Sequence, residues 1–255
     1  MVVIPLQSGS NGNSIYVETD GVKLLFDAGI SGRQAELRLA AYGRDIRRID
    51  GVLISHDHAD HVCCLGVYSR RYGLPVYVTA KTLRAAADRY CLGRLKDVRS
   101  FQAGGPITFG HVRVETIRTP HDGVDGVAFV LDDGERRLGI LTDLGHVFDG
   151  LARLVGTLDA VVLESNYDPD MLANGPYPEF LKRRIAGGGG HISNVEAAEL
   201  LHRAAGTRMQ WACLAHLSEQ NNHPDLALTT HRQLLQERFP IHVAGRYEPA
   251  GVFSV

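Results

Sequence analysis

The feature that most constrains this chain is a cluster of metal-binding side chains directly after a short hydrophobic segment. Gly51–Ile54 is an apolar run of the kind that forms a buried β-strand. The next residues are Ser55-His56-Asp57-His58-Ala59-Asp60-His61. Because a strand end holds the following loop rigidly, His56 and His58 can point into one pocket. Imidazole and carboxylate groups together suit zinc, manganese or iron, so a metal site is predicted rather than a merely solvated polar loop.

The overall composition indicates a soluble globular protein. The chain has 255 residues, 44% of them hydrophobic and 22% charged, which is enough to bury a core. The formal net charge of -2 offers no overall field that would attract a polyanion. A local basic patch could still bind nucleic acid, and Lys182-Arg183-Arg184 is the best candidate. A solvated helix face explains that cluster equally well.

The cysteines and the first residues bear on the cellular compartment. The four cysteines form no C-x-x-C pair, and the adjacent Cys63 and Cys64 are poor partners for each other on a helix. We therefore expect reduced thiols in a cytoplasmic protein. Met1–Leu6 has neither a basic region nor a long apolar stretch, so we expect no signal peptide and no membrane association. The oligomeric state is left open, a homodimer included.

The order of hydrophobic patterns predicts one mixed α/β domain over residues 1–255, in which a β-rich half and an αβ half each contribute a sheet. The strands predicted before the midpoint of the chain are Met1–Leu6, Ile15–Thr19, Val22–Phe26, Gly51–Ile54, Val76–Thr79, Val98–Gln102, Ile107–Phe109 and Val112–Ile117. The later predicted strands are Val127–Leu131, Leu138–Leu141, Ala160–Leu163, Met209–Leu214 and one near the C-terminus. The predicted helices are Arg33–Tyr42, Val62–Tyr72, Lys81–Tyr90, Leu151–Val155, Glu179–Ile185, Asn194–Ala205 and Leu226–Phe239.

Three later residues have the same placement as the first motif, just past an apolar strand. His121 follows Val112–Ile117, Asp143 follows Leu138–Leu141, and His216 follows Met209–Leu214. Each alone would be read as an ordinary strand-end residue. Together with the first motif they complete the number of ligands that a two-metal site needs.

This ligand pattern resembles that of the metallo-β-lactamase superfamily, whose hallmark is His-x-His-x-Asp-His followed by separated His, Asp and His. The resemblance runs nearly end to end. It implies a four-layer αβ/βα sandwich of two mixed sheets flanked by helices. In the family's pattern one metal is bound by His56, His58 and His121, the second by Asp60, His61 and His216, and Asp143 bridges both. Asp27 matches a structural aspartate of the family, in agreement with our expectation that it accepts hydrogen bonds from nearby backbone amides.

A finer resemblance is to the YycJ-like branch of that superfamily. It is carried by residues 8–14 (SGSNGNS), 163–166 (LESN), 175–178 (GPYP), 190–194 (GHISN) and 215–222 (AHLSEQNN). The branch implies a nuclease-like phosphodiesterase associated with 5′-to-3′ degradation of DNA. Two departures are the glycines Gly187–Gly190, where a longer polar loop would be usual, and His146, to which no role is assigned.

The region of Glu164 and His191 also resembles ribonuclease Z. There the histidine helps to protonate the leaving oxygen and the acid orients it, so Glu164, His191 and the ligand Asp60 are the expected catalytic residues. The alternative for His191 is a solvated residue close to the N-terminus of a helix for which Ser193 is the N-cap. Backbone amides at Ser10 and Asn11, and at Ser193 and Asn194, are candidates for binding phosphate.

The resemblance implies two divalent ions, with zinc expected and manganese as the alternative. Such a pair lowers the pKa of a bridging water towards 7 and so supplies hydroxide to attack a phosphodiester. The interval between Asp143 and His216 is too short for the extra domain of the β-CASP nucleases, and there is no long arm like that of ribonuclease Z. A compact nuclease acting on single-stranded DNA or RNA is favoured. A hydrolase of lactams, lactones or thioesters and a regulatory metal-binding protein with little turnover are the alternatives.

Overall fold

The structure is a computed structural model that describes residues 1–255. Its strands are β1 (Val2–Gln7), β2 (Ser14–Thr19), β3 (Val22–Phe26), β4 (Gly51–Leu53), β5 (Val76–Val78), β6 (Val98–Ser100), β7 (Pro106–Phe109), β8 (Val112–Arg118), β9 (Val127–Asp132), β10 (Arg137–Leu141), β11 (Ala160–Glu164), β12 (Trp211–Ala215), β13 (Ile241–Val243) and β14 (Phe253–Ser254). Its α-helices are α1 (Gly32–Ala41), α2 (Ala59–Val62), α3 (Leu65–Tyr72), α4 (Ala80–Arg89), α5 (Leu151–Val155), α6 (Pro169–Asn174), α7 (Glu179–Ile185), α8 (Asn194–Ala204) and α9 (Pro224–Leu235). A short 3-10 helix covers Ile46–Arg48.

The strands form two seven-stranded mixed sheets. The first has the order β14-β1-β2-β3-β4-β5-β6, with antiparallel pairing from β14 to β3 and parallel pairing from β3 to β6. The second has the order β13-β12-β11-β10-β9-β8-β7, with parallel pairing from β10 to β13. The prediction of two mixed sheets flanked by helices is confirmed.

The chain divides into two compact units, each with its own core. The first unit comprises Met1–Arg118, Gly123–Val127 and Gly245–Ser254. In it the sheet residues Leu25 and Val52 and the helix residues Leu39 and Tyr68 are buried in one hydrophobic cluster. Burial of such side chains away from water is the main stabilising contribution to a fold of this size. The expectation of a single domain over residues 1–255 stays a prediction.

The second unit comprises Thr119–Asp122, Ala128–Ala244 and Val255. Its central strands β11 and β12 are buried along their whole length. Their sequences are accordingly almost uninterrupted hydrophobic runs, as expected for parallel strands covered on both faces. Helix α8 buries one apolar stripe that includes Ala197, Leu200 and Leu201. None of the chain's helices is both long enough and hydrophobic enough to span a membrane.

Three helix assignments differ from the prediction. The expected helix Val62–Tyr72 is two helices, α2 and α3, because the amide of Cys64 donates to the carbonyl of Ala28 instead of continuing one helix. Helix α9 stops at Leu235, since Gln236 has a φ of 54°, a backbone conformation that ends a helix. Helix α6 was not predicted, although Asp168 followed by Pro169 is a typical helix start.

Acid should weaken this fold through a buried histidine. His231 in α9 is fully buried, and burial lowers its pKa from 6.5 to about 4. As the pH falls, the unfolded chain therefore takes up this proton before the folded protein does. The contribution to stability is intact above pH 6.5 and is lost as the pH falls towards 4, by roughly 2 kcal/mol between pH 7 and pH 4.5.

Urea unfolding at pH 7 and pH 4.5 measures this effect. The variant His231→Leu should lose less stability on acidification than the wild type, because it has no proton to take up. His202→Gln, a change at an exposed histidine of α8, is the matched control and should keep the wild-type pH dependence. Equal acid sensitivity of His231→Leu and the wild type would contradict the assignment.

Candidate metal centre

The loop after β4 and the short helix α2 bring four predicted ligands of the first unit together. The ring centroids of His56 and His58 lie 4.6 Å apart, and those of His56 and His61 lie 4.2 Å apart. The Nε2 atom of His61 lies 3.3 Å from a carboxylate oxygen of Asp60. His56 and His61 are buried, whereas His58 and Asp60 are half-buried. This half-open arrangement of imidazole and carboxylate groups suits a divalent cation.

Asp27 forms hydrogen bonds with residues of this cluster, in agreement with the structural role predicted for it. Its carboxylate accepts hydrogen bonds from the amide of Ser55 at 2.8 Å and from the Ser55 hydroxyl at 2.9 Å. It also lies 2.7 Å from Nδ1 of His61. A carboxylate in this position fixes the ring orientation and directs the other ring nitrogen towards a metal. Asp27 can reach these partners because it turns the chain at the end of β3, with a φ of 65°.

Two further supports of the first cluster were missed by sequence reasoning. Asp57, the variable residue between His56 and His58, is fully buried, accepts from the amide of Val124 at 2.6 Å and pairs with Arg89 at 2.5 Å. It therefore holds the loop in place and is not a ligand. The motif leaves this position unassigned and gives no signal of its structural role.

The second missed support is Asn13, in the loop between β1 and β2. Its side-chain nitrogen lies 3.1 Å from the Asp60 carboxylate, and its backbone amide donates to the Asp60 carbonyl at 2.7 Å. A Cβ on Gly29 would lie 1.7 Å from that same carbonyl oxygen, so this close approach requires glycine. The resemblance of residues 8–14 to the YycJ-like branch was the available signal. Ser10 and Asn11 lie exposed in the same loop, and their proposed phosphate contacts stay predictions.

The second unit assembles the remaining predicted ligands around Asp143. One carboxylate oxygen of Asp143 lies 3.5 Å from Nε2 of His216 and 3.7 Å from Nε2 of His121. The same oxygen lies 3.8 Å from Nδ1 of His191. One potential ligand atom from each of Asp143, Glu164, His191 and His216 lies within 4.8 Å of the others. This spacing is compatible with a bound cation.

Strand pairing explains why these side chains meet. In the parallel register, Leu141 of β10 lies beside Leu163 of β11, and Glu164 lies beside Ala215 of β12. The residues that follow therefore emerge at one edge of the sheet, where parallel strands place their binding sites. Asp143 and His216 have φ values of 56° and 55°. This left-handed conformation, which Asp and His adopt more readily than most residues, turns both side chains out of their strands.

Glu164 and His191 form a hydrogen-bonded pair beside Asp143. The Glu164 carboxylate is fully buried and lies 2.6 Å from Nδ1 of His191. Its second oxygen accepts from the backbone amides of Leu144 and Ile192 at 3.0 and 3.2 Å. With both carboxylate oxygens engaged, Glu164 holds the imidazole of His191 in one orientation. The His191 side chain retains 18% of its exposure, so it is accessible to a substrate.

Ser193 and Asn194 have structural roles at the start of α8. The Ser193 amide donates to the Glu196 carboxylate at 2.8 Å in a capping box, which confirms Ser193 as the N-cap. The Asn194 amide donates to the Tyr167 carbonyl at 2.8 Å, and its side chain bonds Ser165 within the protein. Both amides that we expected to bind a phosphate donate within the chain, and the phosphate contacts expected for these two residues stay predictions.

The donor atoms fit the metals that the sequence indicated. Both clusters consist of imidazole nitrogens and carboxylate oxygens, which suit zinc and other first-row divalent ions. In the second unit, Nδ1 of His121 lies 2.7 Å from the carbonyl oxygen of Gly190 and donates to it, which leaves Nε2 for a metal. The four cysteines are free thiols, and none of them belongs to these clusters.

Comparison with known proteins identifies the family. Residues 23–216 match the family model described as the β-lactamase superfamily domain. The chain belongs to the metallo-β-lactamase superfamily. It is 38% identical over 234 residues to exodeoxyribonuclease WalJ of Streptococcus pneumoniae, which covers 91% of this chain and 87% of WalJ. It is 37% identical over 235 residues to exodeoxyribonuclease YycJ of Bacillus anthracis, covering 91% and 88% of the two chains.

A solved structure shows the same fold at lower identity. The metallo-β-lactamase fold protein YhfI of Bacillus subtilis superposes with a TM-score of 0.75 and 17% identity, covering 99% of this chain and 98% of YhfI. The predicted family and fold class are therefore confirmed, as is the prediction that the protein is an enzyme of this metallohydrolase superfamily. Divalent metal binding follows from the family together with the donor clusters.

Replacing Asp27 should weaken metal binding without unfolding the protein. Asp27→Asn keeps the shape of the side chain but replaces one acceptor oxygen with an NH₂ group that cannot accept from Nδ1–H of His61. We expect the affinity for zinc to fall about 10- to 100-fold. Competition with a chelator, with bound metal measured by mass spectrometry, tests this.

The matched control is Asp50→Asn in the same unit. Asp50 is exposed and accepts only a surface contact from the amide of Lys23 at 2.7 Å. This variant should bind zinc as the wild type does. Unchanged affinity in Asp27→Asn would show that Asp27 does not support the metal ligands.

Proposed function

We propose that this protein is a metal-dependent exodeoxyribonuclease that hydrolyses single-stranded DNA from its 5′ end. The observation that carries the proposal is its 37–38% identity to two exodeoxyribonucleases, WalJ and YycJ, over 91% of its length. The alignments also cover nearly nine-tenths of those two proteins, so the resemblance is not limited to a shared metal motif. A phosphodiesterase activity on DNA is consistent with the ligand chemistry of both clusters.

Two divalent ions are the cofactor in this proposal, zinc in the first place and manganese as the alternative. The proposed ligands are His56, His58, Asp60, His61, His121, Asp143 and His216. When bound, such a pair supplies a nucleophile from water at neutral pH and neutralises charge on the phosphoryl oxygens. The nitrogen- and oxygen-only donor set supports zinc or manganese over a metal that prefers sulfur.

His191 is proposed to donate the proton that the leaving oxygen needs. Its Nδ1 is held by the buried carboxylate of Glu164, so Nε2 is the atom available to a substrate. An imidazole is suited to this role because its unperturbed pKa lies near physiological pH. Glu164 acts through His191 by fixing its orientation, as the acid does in other acid–histidine pairs. It is therefore proposed as a positioning residue. The sequence predicts a catalytic role for Glu164, and the proposal limits that role to orienting His191.

Removing a ligand or removing His191 should have different consequences. His191→Ala should retain both metals and slow turnover of DNA by roughly 10²- to 10⁴-fold, since it deletes only a proton donor. His216→Ala, the matched comparison from the same cluster, should lose metal as well as activity. Metal analysis of the purified variants beside kcat separates the two cases. His191 belongs to the group of residues around Asp143 that could hold a metal ion. Loss of metal in His191→Ala would therefore identify His191 as a ligand and not as a proton donor.

A substrate panel tests the reaction itself. Zinc- or manganese-loaded protein should degrade 5′-phosphorylated single-stranded DNA, and both a chelator and Asp60→Ala should abolish this activity. Single-stranded RNA, 5′-hydroxyl DNA, a chromogenic phosphodiester and a chromogenic β-lactam complete the panel. Hydrolysis of the lactam alone would favour the small-molecule alternative, and turnover of no substrate would favour a regulatory protein.

A further inference from the structure

A largely exposed segment lies in the sequence between Glu164 and His191, two members of the group around Asp143 that we call the second cluster (His121, Asp143, Glu164, His191 and His216). We call residues 173–189 the basic arm; they include the helix α7 (Glu179–Ile185). None of the arm residues is fully buried; in α7 Leu181, Lys182 and Ile185 are half-buried, and the other four residues are exposed. Short helices are stabilised in proteins mainly by packing of one apolar face, which in α7 is the half-buried side that carries Leu181 and Ile185. The exposed side is left accessible to a ligand.

One face of α7 combines an aromatic ring with positive charge. Phe180, Arg183 and Arg184 are spaced i, i+3 and i+4, so their side chains lie on the same side of the helix. Phe180 is 68% exposed, the largest value among the exposed large hydrophobic residues of the chain. Both arginines are exposed as well. Lys182 lies apart from them: its ammonium group donates to the Ala173 carbonyl at 2.7 Å and holds the arm together.

The arm is fastened to residues of the second cluster. The amide of His191 donates to the carbonyl of Ile185, the last residue of α7, at 2.9 Å. Arg184 pairs with the carboxylate of Asp122, the neighbour of His121, at 2.7 Å. A ligand bound on α7 is therefore held next to the residues that carry out the chemistry.

The glycines after α7 complete this connection. The carbonyl oxygens of Gly188, Gly189 and Gly190 accept hydrogen bonds from other parts of the second unit. Their donors are Nδ1 of His146 at 2.7 Å, the amide of Asp122 at 2.9 Å and Nδ1 of His121 at 2.7 Å, respectively. A Cβ on Gly190 would lie 2.1 Å from the Ile185 carbonyl oxygen, so any residue other than glycine would disrupt this turn. The loop and His146, which had no role in the sequence reading, thus anchor the arm.

We propose that the basic arm binds single-stranded DNA and guides it to His191. Phe180 stacks on a base, and Arg183 binds backbone phosphate, with Arg184 adding positive charge while it anchors the arm to Asp122. An exposed aromatic ring beside cationic side chains is the combination that binds unpaired nucleic acid, because every base offers a face for stacking and every nucleotide a negative charge. The inference rests on the proposed function and names where its substrate binds.

Direct binding measurements test the arm separately from catalysis. The probe is a fluorescent, 5′-phosphorylated single-stranded oligodeoxynucleotide with phosphorothioate linkages, titrated with zinc-loaded protein. Phe180→Ala should raise the Kd about tenfold or more through loss of stacking. Phe180→Trp, which keeps an aromatic face, should bind as the wild type does. Arg183→Ala should reduce the salt dependence of log Kd by about 0.7 per lost phosphate contact.

The kinetic signature is a change in KM for DNA with a much smaller change in kcat. The ratio of kcat/KM for DNA to kcat/KM for a chromogenic phosphodiester should fall in the same proportion as DNA affinity. Arg153→Ala, at an exposed arginine of α5 in the same unit, is the matched control and should retain the wild-type Kd and salt slope.

Several outcomes would overturn the role of the arm. These are an unchanged Kd in Phe180→Ala and Arg183→Ala, an equal loss in Arg153→Ala, or a wild-type dimer that Phe180→Ala dissociates. Loss of DNA affinity in Tyr247→Ala alone would place the contact at that other exposed aromatic residue. If the wild-type protein degrades DNA and the arm variants keep the wild-type Kd and KM for DNA, only this inference is rejected. Wild-type protein that never degrades DNA rejects the proposed function.

Discussion

The parallel pairing of β10, β11 and β12 is the constraint on which the second cluster depends. Their register brings the ends of all three strands to one edge, so that residues far apart in the chain become neighbours. Asp143 and His216 then leave their strands through a left-handed backbone conformation. The hydrophobic strands thus fix the positions of the polar groups, since buried strands cannot slip without exposing apolar side chains or breaking hydrogen bonds.

A second recurring element is a buried carboxylate that orients an imidazole. In the first unit Asp27 lies 2.7 Å from Nδ1 of His61, and in the second Glu164 lies 2.6 Å from Nδ1 of His191. Each carboxylate also accepts hydrogen bonds from backbone amides, which stabilises its buried charge. The imidazoles differ in their proposed tasks: His61 is a metal ligand, while His191 is a proton donor. In the proposed function, the same arrangement therefore serves two kinds of chemistry.

In the proposed function, the basic arm binds the long substrate apart from the residues proposed to carry out the reaction. No residue of its helix is fully buried and four of the seven are exposed, so folding places little constraint on the exposed side. The carbonyl of Ile185 in the arm nevertheless accepts from the amide of His191, and the carbonyl of Gly190, directly after the arm, accepts from Nδ1 of His121. A compact nuclease could in this way hold DNA without the inserted domain of its larger relatives.

The sequence by itself determined the family, the mixed α/β class, the seven candidate metal ligands and the structural role of Asp27. These follow from local patterns, because a strand end and the residues directly after it are contiguous in the chain. The tertiary structure alone decided which other groups hold the ligands in place. Asn13 contacts Asp60 across 47 residues, and Asp57, to which the motif gives no role, holds the loop through its contacts with Arg89 and Val124. It also decided that the amide of Asn194 donates to the carbonyl of Tyr167, since a hydrogen-bond partner distant in sequence leaves no periodic signal.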